Sequence, residues 1–262
     1  MRFTKMHGLG NDYLYVFGQV PEDIRELSIK LSDRHFGAGS DGMIYISPSE
    51  IADFKMRIFN ADGSEAKMCG NGIRCVGKYV YDKGYTDKKC LKIETLSGIR
   101  TLDLTVENGK VVSVSVDMGK AICSQDITLA PLGSDITFTP VSVGNPHAVT
   151  FVDDVEVLPI DKIGPIVEKD PTFVDGVNVE FVQKLSYDHL RMRVWERGSG
   201  ITMACGTGAC ASTAAAAYKG LVQTDEWIKV TLDGGDLFIK INKDWTVEMK
   251  GPAQFVYEGE TL

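Results

Sequence analysis

Short segments in which every second residue is apolar predict strands along the chain. Residues 43–46 and 54–59 have this pattern, which is typical of a half-buried strand. Two pairs of such segments flank glycine-containing turns, Asn108-Gly109 and Gly234-Gly235, and Asn-Gly is a strong signal for a type I′ hairpin. The predicted hairpin strands are 102–106 with 112–116, and 227–232 with 237–241.

Two helices are predicted, each directly after a Cys-Gly-x-Gly sequence that starts at Cys69 or Cys205. Gly84 and Gly220 mark the expected helix ends, because glycine readily adopts the left-handed conformation found there. The second helix, 209–218, carries small residues on every side, which favours a position enclosed by strands. The lysines expected in the last turns, where a cation suits the helix dipole, are Lys83 and Lys219.

This order of elements occurs twice, because short matches recur in the same order at an offset that stays between 132 and 136 residues. The matches are Gly10-Asn11 with Gly144-Asn145, Asp41-Gly42 with Asp175-Gly176, residues 54–59 with 190–195, Cys69-Gly70-Asn71-Gly72 with Cys205-Gly206-Thr207-Gly208, Lys83-Gly84 with Lys219-Gly220, and 119–121 with 251–253. The repeat predicts an α+β fold of two pseudo-symmetric domains, each a mainly antiparallel curled sheet around a central helix. The first domain is predicted at 1–117 and the second at 118–251.

Composition and charge limit the classes of protein to which the chain can belong. The 262 residues are 44% hydrophobic and 24% charged, as in ordinary globular proteins, and the net charge is −8. A negative balance argues against general binding to nucleic acid or to acidic membranes. Residues 1–7 lack the apolar core of a signal peptide and no run of about 18 apolar residues occurs, so a cytoplasmic protein is predicted.

The six cysteines are predicted to be thiols, since reducing compartments disfavour structural disulfides. Cys69 and Cys205 stand out because both lie at a predicted helix start, where free amides and the helix dipole favour an anion. A lowered thiol pKa is therefore expected at both. The other cysteines are expected to be small core residues: Cys75, Cys90, Cys123 and Cys210.

Two equivalent thiols suit the inversion of a carbon that bears hydrogen. One group removes the proton from one face and a second group delivers a proton to the opposite face, so the thiol and thiolate exchange roles with direction. Two domains related by a pseudo-twofold axis are expected to supply such a pair. The planar carbanion also needs its carboxylate held by positive dipoles, which two helix N-termini provide.

The motifs resemble those of the diaminopimelate epimerase family over the whole chain. They are residues 7–12, 59–65 and 69–75, Gly144-Asn145-Pro146-His147, Gly176-Val177-Asn178-Val179, Glu196-Arg197-Gly198 and residues 204–210. The resemblance implies a cofactor-free, two-base interconversion of LL- and meso-diaminopimelate, on the route to lysine and to the peptidoglycan crosslink. It also implies that the last strand, within 252–262, returns to the first domain, and that the protein forms a homodimer. No metal is implied.

The resemblance assigns roles residue by residue. Cys69 and Cys205 are the implied acid/base residues, and Arg197 is the implied fork for the distal carboxylate. The remaining assignments are the amides of Gly70, Asn71, Gly206 and Thr207 for the reacting carboxylate, Asn60 and Glu196 for its ammonium group, His147 to orient the site, and Asn11, Asn145 and Asn178 for the distal amino acid group. Turn chemistry is the alternative for each asparagine. Some members carry Gln where this chain has Gly42.

Four other functions compete with this interpretation. A zinc or redox site is disfavoured because the cysteine spacings, 69 to 75 and 205 to 210, are not Cys-x-x-Cys. Dinucleotide binding is supported only by a weak Gly-x-Gly-x-x-Ala match at Gly206, Gly208 and Ala211, with Asp225 downstream. Predicted hairpins follow this match, where a dinucleotide-binding unit has a parallel strand. A non-catalytic anion-binding module needs no thiols, yet both thiols are present. A proline-type racemase needs no polar residues to bind a second end of its substrate, whereas this chain has such candidates.

Overall fold

The computed structural model describes residues 1–261 and divides them into two compact units, 1–116 with 251–261 and 117–250. The elements in chain order are β1 (Arg2–Gly8), β2 (Asn11–Phe17), α1 (Ile24–Ser32), β3 (Gly42–Pro48), β4 (Phe54–Asn60), β5 (Glu65–Ala66), α2 (Gly70–Asp82), β6 (Cys90–Thr95), β7 (Gly98–Glu107), β8 (Lys110–Lys120), β9 (Ile122–Cys123), β10 (Ile127–Leu129), β11 (Ile136–Ser142), β12 (Pro146–Phe151), α3 (Ile160–Glu168), β13 (Asn178–Lys184), β14 (His189–Glu196), β15 (Gly200–Ile201), α4 (Gly206–Tyr218), β16 (Trp227–Leu232), β17 (Gly235–Ile241), β18 (Thr246–Gly251) and β19 (Gln254–Glu260).

Both units have the same strand topology. In the first, β1–β2, β3–β4, β6–β7 and β7–β8 pair antiparallel, whereas β2–β3 and β4–β6 pair parallel. In the second, β11–β12, β13–β14, β16–β17 and β17–β18 pair antiparallel, whereas β12–β13 and β14–β16 pair parallel. Strand β19 adds to β1 as β9 adds to β11, so the end of the chain completes the first unit.

One helix lies among the strands of each unit. Helix α2 contacts β1, β2 and β7, and α4 contacts β11, β12, β13, β14, β16 and β17. Residues Ala214, Ala215 and Ala216 of α4 are fully buried, because their small side chains let strands approach from several sides. The predicted α+β class, with a mainly antiparallel sheet around a helix in each unit, is confirmed.

Two helices were not predicted from the sequence. Helix α1 packs against β3 and β4, and α3 packs against β13, β14 and β15. The close approach of α3 depends on Gly164, where a Cβ would lie 2.4 Å from Cγ of Trp195. Both helices are only nine residues long, which leaves little periodicity to detect.

Local details of the sequence prediction have mixed outcomes. The turn between β7 and β8 has positive φ at both Asn108 (49°) and Gly109 (74°), as a type I′ hairpin requires. Lys83 and Lys219 do not lie in the last helical turns, because each is the C-cap residue. Their ammonium groups pair instead with carboxylates, Lys83 with Glu258 and Lys219 with Asp126.

The four cysteines expected in the core differ in burial. Cys75 and Cys210 are fully buried, as predicted. The prediction is wrong for Cys90, which is exposed at the start of β6, and Cys123 is only half-buried. Exposed and buried positions alternate along the start of β6. Cys90 occupies an exposed position, and its neighbour Leu91 a buried one.

Candidate active site

Cys69 and Cys205 are the N-cap residues of α2 and α4. Both have extended backbone angles, and the Sγ of each accepts a hydrogen bond at 3.3 Å from the backbone N–H three residues later, that of Gly72 or Gly208. Each thiol thus takes the place of the oxygen that usually caps a helix. The first amides of both helices, including those of Gly70, Asn71, Gly206 and Thr207, have no acceptor within their own helix, which makes each start a candidate anion site.

The surroundings of Cys205 raise its pKa well above the ordinary thiol value, so the lowered pKa expected from the sequence is wrong here. Burial is the main cause, and the negative charges of Glu196 and Glu180 add to it. Hydrogen bonds with Thr207 and with the Gly208 N–H act in the opposite direction. The helix start therefore moderates the cost of a buried thiolate without cancelling it.

Glu196 is the last residue of β14 and lies beside the thiol. Its Oε1 accepts a hydrogen bond from the hydroxyl of Thr202. Burial raises the pKa of the Glu196 carboxyl, and hydrogen bonds with Thr202 and Cys205 partly offset that effect. The equivalent strand of the first unit, β4, ends at Asn60, whose Nδ2 donates to Oγ of Ser64 at 3.0 Å.

His147 lies on β12 and contacts two polar side chains. Its Nδ1 is 2.7 Å from Oε1 of Glu180 and its Nε2 is 3.1 Å from Oδ1 of Asn145. The Asn145 Nδ2 in turn donates to Oγ1 of Thr207, which lies 3.5 Å from Sγ of Cys205. The predicted residues Asn145, His147 and Thr207 are thus brought together around the Cys205 thiol.

Glu180 is a residue that the sequence analysis missed. Its side chain is fully buried on β13, although carboxylates are rarely buried without a partner. The only available signal was a single acidic residue between Val179 and Phe181 in an otherwise apolar segment, two positions after Asn178.

In the first unit, an amide side chain contacts the Cys69 thiol. The thiol donates to Oδ1 of Asn11 at 3.3 Å, and the Asn11 Nδ2 donates to Oδ2 of Asp41 at 2.8 Å. Tyr13 is buried beside them, and burial together with the nearby Cys69 raises the pKa of its hydroxyl well above the ordinary value. Of the two predicted asparagines, Asn11 therefore contacts the thiol directly, whereas Asn60 contacts Ser64.

Asn178 and Arg197 contact the backbone of their own unit. The Asn178 Nδ2 donates to the Pro146 carbonyl at 3.1 Å, and its Oδ1 accepts from the Arg197 N–H at 2.9 Å. The Arg197 guanidinium donates to the carbonyl of Asp175 at 2.7 Å. Both partners are distant in sequence, so the Asn178 side chain joins backbone segments of its own unit and does not form a local turn.

Position 42 has little room for a side chain. A Cβ at this position would lie 2.2 Å from the carbonyl oxygen of Phe59 on the paired strand. No side chain fits there without a backbone shift, so the chain offers no side-chain contact to substrate from position 42.

Comparison with known proteins shows the family of the chain. The model of the family described as diaminopimelate epimerase matches residues 3–123 and 139–256. The chain belongs to the diaminopimelate epimerase family. A diaminopimelate epimerase of Methanococcus maripaludis is 53% identical over 99% of this chain and 99% of its own length, and one of Acetivibrio thermocellus is 51% identical over 99% and 98%.

Solved structures outside the diaminopimelate epimerase family share the fold. A phenazine biosynthesis protein of the PhzF family from Bacillus anthracis superposes with a TM-score of 0.80 at 17% identity, covering 100% of this chain and 99% of that protein. A hydroxyproline epimerase from Agrobacterium vitis, solved with trans-4-hydroxy-L-proline, gives a TM-score of 0.73 at 16% identity, covering 99% and 91%. Within residues 1–261, no helix is long and apolar enough to cross a membrane.

Proposed function

We propose that the chain is an isomerase that interconverts LL- and meso-diaminopimelate without a cofactor, using Cys69 and Cys205 as its two acid/base groups. The observation that carries the mechanism is the pair of cysteine N-caps, each with Sγ 3.3 Å from the backbone nitrogen three residues on. Family membership and about 50% identity to proteins named diaminopimelate epimerase support the substrate.

The reaction exchanges one proton at an α-carbon. The thiolate of one cysteine takes the proton, the C–H bond breaks, and its electron pair stays on the carbon and spreads into the carboxylate. The S–H of the other cysteine then gives its proton to the opposite face, so the enzyme ends with the two protonation states exchanged. Each direction of the reaction starts from one of these two states.

The charge that develops on the carboxylate needs nearby donors. We assign this role to the first amides of α2 and α4, at Gly70, Asn71, Gly206 and Thr207, because amides at a helix start point away from the helix and cost no reorganisation. The other polar residues bind the rest of the substrate. These are Asn60 and Glu196 for the ammonium group at the reacting carbon, Asn11, Asn145 and Asn178 for the distal amino acid group, and Arg197 for the distal carboxylate. His147 orients the groups around Cys205.

Isotope incorporation tests this function. Pure protein without added cofactor is incubated with LL-diaminopimelate in deuterated water, and the product is analysed by NMR and mass spectrometry. We expect deuterium at one α-carbon as the meso form appears, whereas proline in a parallel sample exchanges no hydrogen. Absence of label in diaminopimelate would disprove the proposal, and label in proline instead would favour a proline-type racemase.

We further propose that the protein acts in the cytoplasm as a homodimer and binds neither nucleic acid nor membranes. A reducing compartment keeps the catalytic cysteines as thiols. Strand β19 presents exposed apolar side chains, Phe255, Val256 and Tyr257, which support self-association. Sedimentation analysis should give twice the monomer mass, and a Val256→Lys variant should shift the protein toward the monomer.

A further inference from the structure

The side chain of Asn11 links the Cys69 thiol to a carboxylate. Its Oδ1 lies 3.3 Å from Sγ of Cys69, and its Nδ2 lies 2.8 Å from Oδ2 of Asp41. The two ends of an amide side chain have nearly the same shape but opposite hydrogen-bonding character, since the oxygen accepts and the nitrogen donates. The neighbours of Asn11 therefore decide which end faces the sulfur.

The contacts of Asp41 make both of its carboxyl oxygens acceptors. Oδ2 accepts from the backbone N–H of Asp12 at 3.0 Å, and Oδ1 accepts from Nη2 of Arg34 at 2.9 Å. A backbone N–H and a guanidinium can only donate. Asp41 is thus a carboxylate, and the end of Asn11 that faces it is the amide nitrogen.

The backbone holds this carboxylate in place beside Asn11. Asn11 begins β2, and Asp41 directly precedes β3, which pairs parallel with β2. The Asp41 N–H donates to the Asp12 carbonyl at 2.7 Å, and the Asp41 carbonyl accepts from the Ala61 N–H at 2.9 Å. Both sides of the Asp41 backbone are therefore anchored, so its carboxylate offers Asn11 a fixed acceptor.

The equivalent amide of the second unit is held differently. The Asn145 side chain contacts Thr207 and His147. Asp175 is the equivalent of Asp41 in the repeat, but in the part of the chain that the structure describes no hydrogen bond joins it to Asn145. The repeated fold thus does not require a carboxylate to hold this amide, and the arrangement is particular to the Cys69 unit.

The contacts of the Cys69 sulfur suit a neutral thiol. The Gly72 N–H donates to Sγ at 3.3 Å, and the Asn11 oxygen accepts from the S–H. A thiol satisfies both neighbours, whereas a thiolate has no hydrogen to donate and its charge faces the oxygen lone pairs. If the amide were reversed, two N–H groups would face the sulfur and would favour the thiolate. The orientation of one amide therefore shifts the balance between the two forms.

We propose that Asp41 is a positioning residue that holds the Asn11 amide with its oxygen toward Cys69 and so favours the protonated sulfur. This role rests on the proposed function, in which Cys69 alternates between thiol and thiolate. A thiolate that faces an oxygen has a greater affinity for a proton. Asp41 thereby makes Cys69 a stronger base in the step that removes the α-proton.

The variants Asp41→Ala and Asp41→Asn test this role, because both remove the charge and only Asp41→Ala removes the acceptor. In Asp41→Asn the new amide oxygen takes the place of Oδ2, where the Asp12 N–H needs an acceptor. Its NH2 group then faces Arg34, whose side chain is 55% exposed and can move into solvent. Asn11 keeps its orientation in Asp41→Asn, whereas in Asp41→Ala it is free to turn its nitrogen toward the sulfur.

Alkylation of Cys69 measures the consequence for the sulfur. Its pH dependence, followed by peptide mass spectrometry, gives the pKa of the thiol in each variant. An N–H that donates to the thiolate should make this pKa about one unit lower in Asp41→Ala than in Asp41→Asn. At a pH below both values, iodoacetamide should then modify Cys69 about 10-fold faster in Asp41→Ala.

The titratable groups beside Cys69 leave this comparison clear. They are Tyr13, Tyr15 and Cys75, and both variants retain all three. Burial raises the pKa of each tyrosine well above the ordinary value and that of Cys75 to about 11. All three are therefore neutral at pH 6 to 9, where the alkylation is followed, and the measured change belongs to Cys69.

NMR tests the orientation of the amide directly. In the wild type, an Nδ2 hydrogen of Asn11 and the backbone hydrogen of Asp12 point at the same oxygen of Asp41. They should therefore give a strong nuclear Overhauser effect. This signal should persist in Asp41→Asn and disappear in Asp41→Ala.

Equal Cys69 pKa values in folded Asp41→Ala and Asp41→Asn proteins would overturn the positioning role, and so would a missing Overhauser signal in the wild type. Adding Asn11→Ala to both variants should abolish the difference between them, because the effect acts through that amide. A difference that persists would also overturn the proposal. Thermal unfolding verifies that each variant is folded. These measurements use no substrate, so failure of the wild type to label diaminopimelate would reject the proposed function separately from the result at Asp41.

Discussion

Cys69 and Cys205 accept the same hydrogen bond, each through Sγ from the N–H of the third residue on, and both distances are 3.3 Å. Their backbones are alike, but the side chains around them differ in charge. Where the first unit has Tyr13, Ile44 and Asn60, the second has His147, Glu180 and Glu196 at the equivalent strand positions. The repeat thus supplies two similar caps, and the later differences make the two thiols chemically unequal.

Replacing either capping cysteine should abolish epimerisation. Cys69→Ala and Cys205→Ala each remove an acid/base group, which is worth about 10²- to 10⁴-fold in rate. Formation of meso-diaminopimelate from the LL form measures the effect. Cys90→Ala is the control, because this thiol is exposed on β6, and it should retain wild-type activity. Equal losses at all three positions would contradict the assignment of the pair.

A methyl group at the helix starts should affect the two units differently. In Gly208→Ala the new Cβ meets a buried carboxylate oxygen of Glu180 at 2.8 Å and Sγ of Cys205 at 3.2 Å. In Gly72→Ala it meets the terminal methyl of Ile44, which can rotate away. We expect Gly208→Ala to cost about 1–3 kcal/mol of unfolding free energy and most of the activity, and Gly72→Ala to cost less. Denaturant titration and initial rates measure both effects, and a greater loss in Gly72→Ala would be inconsistent with this geometry.

The charge of Glu196 should control the reactivity of Cys205. After burial, Glu196 is the largest cause of the raised Cys205 pKa, so Glu196→Gln should lower that pKa. More thiolate is then present at a given pH below the pKa, and iodoacetamide should modify Cys205 faster at pH 8 than in the wild type. Peptide mass spectrometry measures the rate, and an unchanged rate would exclude this electrostatic effect.

Asp12 should link the stability of the first unit to acid pH. Burial alone would raise the pKa of this carboxyl, but hydrogen bonds and charge from Arg34 and Lys5 outweigh it and the pKa is lowered. A lowered folded-state pKa contributes stability above the unfolded value, about 3.9, and that contribution disappears as the pH falls through the folded-state value.

The Asp12→Asn variant measures this contribution. It should be less stable than the wild type at pH 7 by about 1–3 kcal/mol, since hydrogen bonds to a charged group are lost. Urea titrations between pH 7 and pH 2 should show the two proteins converging at the acid end. A difference in stability that does not change with pH would rule out the ion pairs as its source.

Much of the fold follows from local sequence signals. The Asn108-Gly109 turn, a helix at each Cys-Gly-x-Gly and its end before Gly84 or Gly220 depend on residues close in sequence, and the structure has each of them. The helices begin inside the motif, at Gly70 and Gly206, and not after it as expected. Lys83 and Lys219 were misplaced by about one position because helix ends depend on capping details.

Burial and charge at the site were less predictable. Cys90 was predicted to be a core residue, but it lies on the exposed side of β6. Alternate residues of a strand face opposite sides of the sheet, and the pairing of the strands decides which side is exposed. Glu180 was missed for a related reason, since its neighbours His147 and Gly208 come from a different strand and a helix. The raised pKa at Cys205 follows from burial first and then from the carboxylates of Glu196 and Glu180, and only folding provides both.

The sequence by itself determined that one unit is repeated, that each copy places a cysteine at a helix start, and which family motifs surround it, because these features depend on short-range spacing. Tertiary structure alone decided which side chains surround each sulfur and whether a carboxylate or a methyl group faces the helix start. Electrostatic interactions act through space, and the groups around Cys205 come from β12, β13 and β14, which strand pairing brings together.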